Sequence, residues 1–220
     1  MHRDWCPRCQ ERVEPVVPHA LPKATLGKRV LVLSAWLHEA LGNTLSQIVE
    51  VFHFHVQRKR TAGGLVQMWY RLQAILYPWY AQLRQQALHA AVLFAEESGW
   101  RVNGTTHGRW CVTTDHVTVY MSNRLRRPHN DVCTFLEQAE LPFDNNTAER
   151  AIRPAVIMHK NGSGNRSEQG ADGQAVLRSV FRTFKQRGQA PIRTLVDARA
   201  MYLTTGPLPP LPEPITTSDG

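Results

Sequence analysis

The composition of this 220-residue chain indicates a basic, globular protein. A hydrophobic fraction of 42% is enough for a buried core in one ordinary domain or two small ones. A net charge of +8 and a pI near 9.7 favour a polyanionic partner, nucleic acid first. Its longest apolar runs fall far short of the roughly 20 residues that span a bilayer, which excludes membrane insertion. The N-terminus lacks the apolar segment of a secretory signal, so we expect a cytoplasmic protein.

The first 27 residues are predicted to form an arm that carries half of a zinc-ribbon motif. Cys6 and Cys9 in CPRC have the spacing of one half of such a site, whose tetrahedral metal needs four ligands. The other half is missing, because Cys111 and Cys133 lie far along the chain in different contexts. We therefore expect an arm without metal, and a Zn²⁺ half-site is the alternative.

Residues 28–90 are predicted to be helical. Apolar residues crowd one face of a helix over residues 28–41, and a second helix follows Thr44, its expected N-cap. The basic, glycine-containing connection VQRKRTAGG at residues 56–64 precedes a long helix that we expect to be interrupted at Pro78. Helices around such a connection resemble a helix-turn-helix, and the alternative is a helical hairpin that only packs.

The periodicity changes to that of a β-sheet after residue 90. AVLFAEESGWRVNG is typical of one strand, and TTHGRWCVTTDHVTVYMSN is typical of two more. Asn103 and Gly104 predict a type I′ hairpin turn, and Asp115 with His116 marks the second reversal. The sequence therefore predicts three antiparallel strands.

Helices and a disordered tail are predicted for the remaining residues. We expect a short helix over DVCTFLEQAE, a second helix over residues 146–158 and a third over residues 171–187, which ends at Gly188. Residues 191–220 are expected to be an extension with a disordered tail, because the stretch GPLPPLPEP cannot form a core.

One acid within a basic envelope is the most distinctive feature of the chain, in DNNTAERAIRPAVIMHKNGSGNRSEQGADG. Asn146 and Glu149 have the spacing of a capping box, which explains both residues without catalysis. The same helix places Arg153 one turn from Glu149. The cations around this acid are Arg150, Arg153, His159, Lys160 and Arg166. A carboxylate among cations is typical of a phosphodiester site, where it can bind Mg²⁺ while the cations stabilise charge on the phosphate.

The block DNNTAERAIRP, followed by HKNGSGNRSEQGA, resembles the C-terminal signature of transposases of the insertion sequence 66 family. In that family the glutamate of D-N-N-x-x-E-R, here Glu149, is the last acid of a DDE triad on an RNase H-like fold. Residues 95–104, AEESGWRVNG, are similar to the segment A-D-E-T-G-W-R-V that supplies the first acid. Residues 21–52 resemble the helical DNA-binding region of the family, and CPRC resembles the end of its zinc-finger-like segment.

This resemblance implies a mixed α/β protein, with a helix-turn-helix-like region before an incomplete RNase H-like antiparallel sheet and C-terminal helices. The implied domains are an arm (1–27), a helical DNA-binding-like region (28–90), a partial catalytic domain (91–190) and the C-terminal extension (191–220). Glu96 and Glu149 would hold Mg²⁺ as catalytic acids. The implied DNA contacts are Arg150, Arg153, Lys160 and Arg166. The expected partners are DNA at transposon ends and further copies of the chain or the full-length transposase.

The sequence departs from its family at two of the three acids. Glu96 stands where the family has Asp, which displaces the carboxylate by about one methylene in a site that needs placement within about 0.5 Å. No strand pattern that could carry the second Asp is visible between Met121 and Pro142. Asp115 belongs to a turn about 13 Å along the strand from the position opposite Glu96, at roughly 3.3 Å per residue. Asp144 is therefore the better substitute for the missing second Asp.

We therefore expect a transposase that is shortened at its N-terminus and within its catalytic core, with impaired strand cleavage. The alternative is a non-catalytic DNA-binding remnant, or a regulator of the full-length transposase. A third interpretation is a relic that folds poorly, because the loss of a strand exposes a sheet edge.

Overall fold

Strands and helices form a mixed α/β architecture, which confirms that part of the prediction. The computed structural model describes residues 4–13, 26–57, 61–123, 146–162 and 165–215. The strands are β1 Asp4–Cys6, β2 Glu11–Val13, β3 Phe94–Val102, β4 Thr105–Thr113 and β5 Thr118–Asn123. The described helices are α1 Lys28–Glu39, α2 Leu45–Val56, α3 Ala62–Leu88, α4 Asn146–Gly162, α5 Glu168–Gln186 and α6 Pro191–Thr205. The short helix predicted for DVCTFLEQAE lies outside the described residues.

The central sheet is antiparallel in the order β3-β4-β5, as the turn residues predict. Asn103 and Gly104 have φ angles of 48° and 77°, the left-handed values that a type I′ turn requires of its two central residues. The second turn is closed by a 2.8 Å hydrogen bond from the backbone N–H of Thr114 to the carbonyl of Val117. Asp115 is exposed in this turn, away from the middle of the strands.

Helix α3 is continuous through Pro78, so the predicted interruption is wrong. A proline inside a helix costs about 3 kcal/mol, because it removes a hydrogen bond and crowds the preceding turn. Leu76 and Trp79 are buried on either side of it. Burial of each such side chain contributes about 1.5–3 kcal/mol, which offsets the cost.

A large hydrophobic core joins the N-terminal helices to the sheet. It includes Val32, Phe52, Leu72, Leu76, Val112, Val119, Val180 and Phe184, which come from four helices and two strands. The change of periodicity at residue 90 therefore divides helices from strands, but the two regions share their core. Within the described ranges, no helix is both long and apolar enough to cross a membrane.

Side-chain hydroxyls of α5 cover the open edge of β5. The Oγ of Ser179 accepts a 2.8 Å hydrogen bond from the backbone N–H of Tyr120. The Oγ1 of Thr183 accepts from the N–H of Thr118 at 3.0 Å and donates to its carbonyl at 3.1 Å. Backbone groups that a further strand would pair are thus satisfied by a helix, which protects this edge from association.

The other edge of the sheet, along β3, is paired at one end. Asn165 forms a parallel bridge with Val102. Its carbonyl accepts from the N–H of Asn103 at 2.9 Å, and its N–H donates to the carbonyl of Arg101 at 3.1 Å. The chain that follows α4 is therefore fixed beside the strand that carries Glu96.

Residues 206–215 pack against the core, so the predicted disorder is wrong for this segment. The indole Nε1 of Trp79 donates a 2.8 Å hydrogen bond to the carbonyl of Pro209. The guanidinium of Arg187 donates to the carbonyl of Pro212 at 2.6 Å. Proline prevents a helix or a sheet ladder here, but its carbonyl remains an acceptor, and buried donors of α3 and α5 use it.

We predict that Ser179→Ala lowers the free energy of unfolding by about 1–3 kcal/mol, because it leaves the buried N–H of Tyr120 without an acceptor. Denaturant titration followed by circular dichroism measures the change. Thr204→Ala is the matched control, because its hydroxyl also donates to a carbonyl four residues earlier but is exposed. Equal effects of the two substitutions would contradict the edge-covering role of Ser179.

Candidate nucleic-acid interface and acidic pair

The structure brings Glu96 of β3 and Glu149 of α4 close enough to interact. Helix α4 packs on the face formed by β3 and β4. The pKa of Glu96 is raised first by burial, next by the negative charge of Glu149 and then by that of Glu97. The two acids selected from the sequence therefore share one electrostatic environment, although they lie 53 positions apart in the chain.

Strand alternation decides which of the two neighbouring acids faces α4. Glu96 is opposite Cys111, which is opposite Tyr120 on β5. Cys111 and Tyr120 belong to a small core that also includes Ala151 of α4. The hydroxyl of Tyr120 donates a 2.5 Å hydrogen bond to the carbonyl of Ala151. Glu96 projects from this face, so the helix that carries Glu149 is fixed over it.

Glu97 belongs to the opposite face of the sheet. It is paired in register with Trp110, one residue out of phase with Glu96. Its carboxylate lies over Gly108, where a Cβ would meet the Oε1 atom at 2.5 Å. Gly108 thus leaves the space that the Glu97 side chain fills, and of these two acids Glu96 is the one on the same side of the sheet as Glu149.

The predicted DNA-contacting cations lie on the exposed side of α4 and just beyond it. Arg150 and Arg153 are exposed and line a cleft against the end of α1, together with Ile157. Lys160 follows Arg153 by two turns and is exposed on the same side of the helix. Arg166 is exposed beside the bridge to β3. The side chain of His159 lies outside the described residues.

α4 begins at Asn146, so this residue lies within the first turn of the helix and is not the N-cap residue that the sequence predicts. Glu149 is exposed in that turn, where a negative charge interacts favourably with the helix dipole. The predicted capping box of Asn146 and Glu149 is therefore not confirmed, whereas an exposed carboxylate in a first turn remains available to a cation.

A buried ion pair that the sequence analysis missed connects α4, which carries Glu149, to two other helices. The Nε and Nη2 atoms of Arg178 donate to Oε2 of Glu39 at 3.2 and 3.1 Å. Arg178 also donates to the sulfur of Met158 on α4 and lies 5.8 Å from the ring centre of Tyr120. This arginine therefore joins α1, α4 and α5. The available signal was a charged residue within an apolar helix face, in AVLRSVF.

Two carboxylates fit part of a divalent-cation site. Mg²⁺ commonly binds through one or two carboxylates and keeps several waters, and the repulsion between Glu96 and Glu149 is what a cation would relieve. In the part of the chain that the structure describes, no third Asp, Glu, His or Cys completes a metal-binding group with them. Asp115 is in the turn, as predicted, and Asp144 lies outside the described residues.

Cys6 and Cys9 lie at the turn between β1 and β2. The backbone N–H of Gln10 donates to the carbonyl of Cys6 at 2.9 Å, which closes this turn. Hydrogen bonds from the backbone and the thiol of Cys9 lower the pKa of Cys6. Cys111 is buried in the sheet, where burial raises its pKa to about 12, and Cys133 is outside the described residues.

We predict that Glu149→Gln lowers the pKa of Glu96 towards its ordinary value, because it removes a nearby negative charge. Glu97→Gln is the matched control and should have the smaller effect, since Glu97 is the weaker of the two acidic neighbours. Carboxyl-carbon NMR titration of each variant measures both shifts. An equal or larger shift in the Glu97 variant would show that Glu149 is not the main acidic neighbour.

Comparison with known families gives one match. The transposase model described as Transposase IS66 family matches residues 121–173. This segment runs from β5 through α4 into α5 and contains Glu149 and the four predicted DNA-contacting cations, whereas Glu96 lies before it. No curated protein and no solved structure matches the chain. The segment that carries Glu149 is therefore similar to IS66-family transposases, and this similarity supports an IS66-type transposase.

Proposed function

We propose that the protein binds DNA at transposon ends and that its strand-cleaving activity is impaired. The family match supports a function in DNA transposition. The observation that carries the proposal is the proximity of Glu96 to Glu149, beside exposed arginines and without a third metal-binding side chain among the described residues. Among the described residues, the site has the cations that hold a phosphate but only two acids, fewer than two-metal cleavage uses.

Charge and exposure support the DNA-binding part of the proposal. Arg150 and Arg153 extend from α4 into solvent, and the whole chain carries a net charge of +8. Such cations displace condensed counterions from DNA, so affinity falls as salt rises. Lys160 and Arg166 extend the positive surface towards the sheet edge. Phosphate contacts of this kind position a duplex without reading its sequence.

Fold details support an incomplete RNase H-like domain. Three consecutive antiparallel strands are followed by helices, and Asn165 starts a parallel contact on the free edge of β3. Helices α2 and α3, joined by a short connection and capped by Thr44 and Thr61, form the helix-turn-helix-like part of the proposal. Exposed Val51 and Phe54 on α2 are available to a DNA groove or a partner.

The chemistry available to this chain is ligand binding at the acidic pair and phosphate binding at the arginines. Glu96 and Glu149 would hold Mg²⁺, which supplies Lewis-acid stabilisation of a phosphate when bound. Two-metal cleavage needs further carboxylates at about 4 Å spacing between the metals. The sequence between β5 and α4 has no strand pattern to hold a second Asp. Cleavage is therefore expected to be negligible while DNA binding persists.

The alternative is a non-catalytic remnant or a regulator that forms mixed oligomers with the full-length transposase. The absence of a third acid among the described residues favours it over an active enzyme. A remnant and a regulator can be distinguished by adding this protein to the full-length transposase. A regulator would inhibit strand transfer by the full-length enzyme in proportion to its concentration, even with transposon ends in excess.

We predict that duplex binding weakens steeply with salt and that Arg150→Gln with Arg153→Gln reduces the slope of log K against log salt by about 2, at about 0.9 per phosphate contact. Fluorescence anisotropy across a salt series measures the slope. Arg193→Gln is the matched control, because this exposed arginine of α6 already pairs with Asp197 at 3.9 Å. An affinity that does not change with salt would disprove DNA binding through phosphates.

We also predict negligible nicking or strand transfer on transposon-end DNA with Mg²⁺ or Mn²⁺. Gel analysis of end-labelled DNA measures the products, and Glu149→Gln should give the same background as the unaltered protein. Metal-dependent nicking that Glu149→Gln abolishes would show that the acidic pair is catalytically competent, and the proposal of impaired cleavage would be wrong.

A further inference from the structure

A second site lies on the face of the sheet away from the acidic pair. A cavity of about 410 Å³ opens between α3, β4, β5 and α5, and we call it the α3–α5 pocket. Its main lining residues are Gln73, Tyr77, Tyr80, Arg84, Trp110 and Asp172. The volume lies within the roughly 300–1,000 Å³ of small-molecule sites. None of these residues belongs to the acidic pair or to its arginines.

Strand register separates the pocket from Glu96. Trp110 is opposite Glu97 on β3 and Met121 on β5, which places it on the face that does not carry Glu96. Trp110 and Met121 belong to the large core, whereas the neighbours of Glu96 belong to the small one. A ligand in the pocket would therefore approach the sheet from the side opposite to Glu149.

One wall of the α3–α5 pocket is aromatic and partly open. Tyr77 is 54% exposed, and its ring centre is 6.0 Å from that of Tyr80. The hydroxyl of Tyr80 donates a 2.8 Å hydrogen bond to the carbonyl of Tyr120, which fixes the inner ring. An exposed tyrosine beside a fixed one provides a stacking surface that suits a planar heterocycle.

Opposite charges lie on two walls of the pocket without forming a pair. Arg84 comes from α3 and Asp172 from α5. Burial raises the pKa of Tyr80 to about 12, while the charges of Arg84 and Arg109 lower it and that of Asp172 raises it. Within the described residues, no ion pair joins the two side chains. A ligand that carries both an anionic group and a hydrogen-bond donor can contact both walls at once.

We infer that the α3–α5 pocket binds a nucleotide, either free or at the unpaired end of a DNA strand. The base would stack on Tyr77, the phosphate would lie against Arg84, and an exocyclic amino group would donate to Asp172. Cytosine, adenine and guanine carry such a group, whereas thymine does not. In its second form the inference rests on the proposed function, because it requires DNA as the partner.

Calorimetric titration of the full chain with dAMP, dCMP, dGMP and dTMP tests the site itself. We expect saturable binding that is weakest for dTMP, and at least a tenfold loss with Arg84→Gln or Tyr77→Leu. Asp172→Asn should reduce the difference in affinity between dTMP and the other three mononucleotides. Arg193→Gln is the control for loss of an arginine and should bind as the unaltered protein does. Thermal melts confirm that each variant is folded.

Duplexes with and without a single-stranded overhang distinguish the two sources of the nucleotide. If the protein binds the overhang duplex more tightly than the blunt duplex, and Arg84→Gln abolishes this difference in affinity, the pocket binds a strand end. If the protein binds mononucleotides but binds the two duplexes with equal affinity, the pocket binds free nucleotides. If neither ligand responds to Arg84→Gln, the inference is wrong, while salt-dependent binding of the blunt duplex through Arg150 and Arg153 would still support the proposed function.

Discussion

The site depends on the way Tyr120 holds three helices to one position of β5. Its backbone N–H donates to Ser179 of α5, its carbonyl accepts from the hydroxyl of Tyr80 on α3, and its own hydroxyl donates to the carbonyl of Ala151 on α4. Backbone groups at a sheet edge would otherwise need another strand. Because the last of these bonds fixes α4 over the sheet, the distance between Glu96 and Glu149 follows from the same residue that closes the edge.

The fold tolerates electrostatic repulsion between Glu96 and Glu149 because the hydrogen bonds of Tyr120 hold α4 over the sheet. The pKa of Glu96 is raised by burial and by Glu149, so the folded state binds its proton more tightly than the unfolded state does. Stability from this group is therefore greatest below its unfolded pKa and declines as pH rises through the window between the two values. A bound cation would reverse this effect by favouring the ionised form. The pair is thus better suited to holding a cation at neutral pH than to stabilising the fold.

Local signals in the sequence predicted the strands and turns better than they predicted the long-range packing contacts. The sheet followed from Asn103 and Gly104, whose positive φ values require residues of that type. Pro78 was misleading because burial of the neighbouring side chains outweighs one lost hydrogen bond, and residues 206–215 were misleading because composition does not reveal that their carbonyls meet buried donors. The acids of the site were found through the family resemblance. Arg178 and the α3–α5 pocket were missed, since both depend on long-range contacts.

The two faces of one sheet give this chain two separable surfaces. Adjacent residues of a strand point to opposite sides, so Glu96 joins the face of α4 and Glu97 joins the face of Trp110. A substitution at Glu96 or Glu149 on the first face removes no side chain from the core of the second, because the two cores share no residue. The proposed phosphate-binding helix and the α3–α5 pocket can therefore be altered independently of each other by substitution.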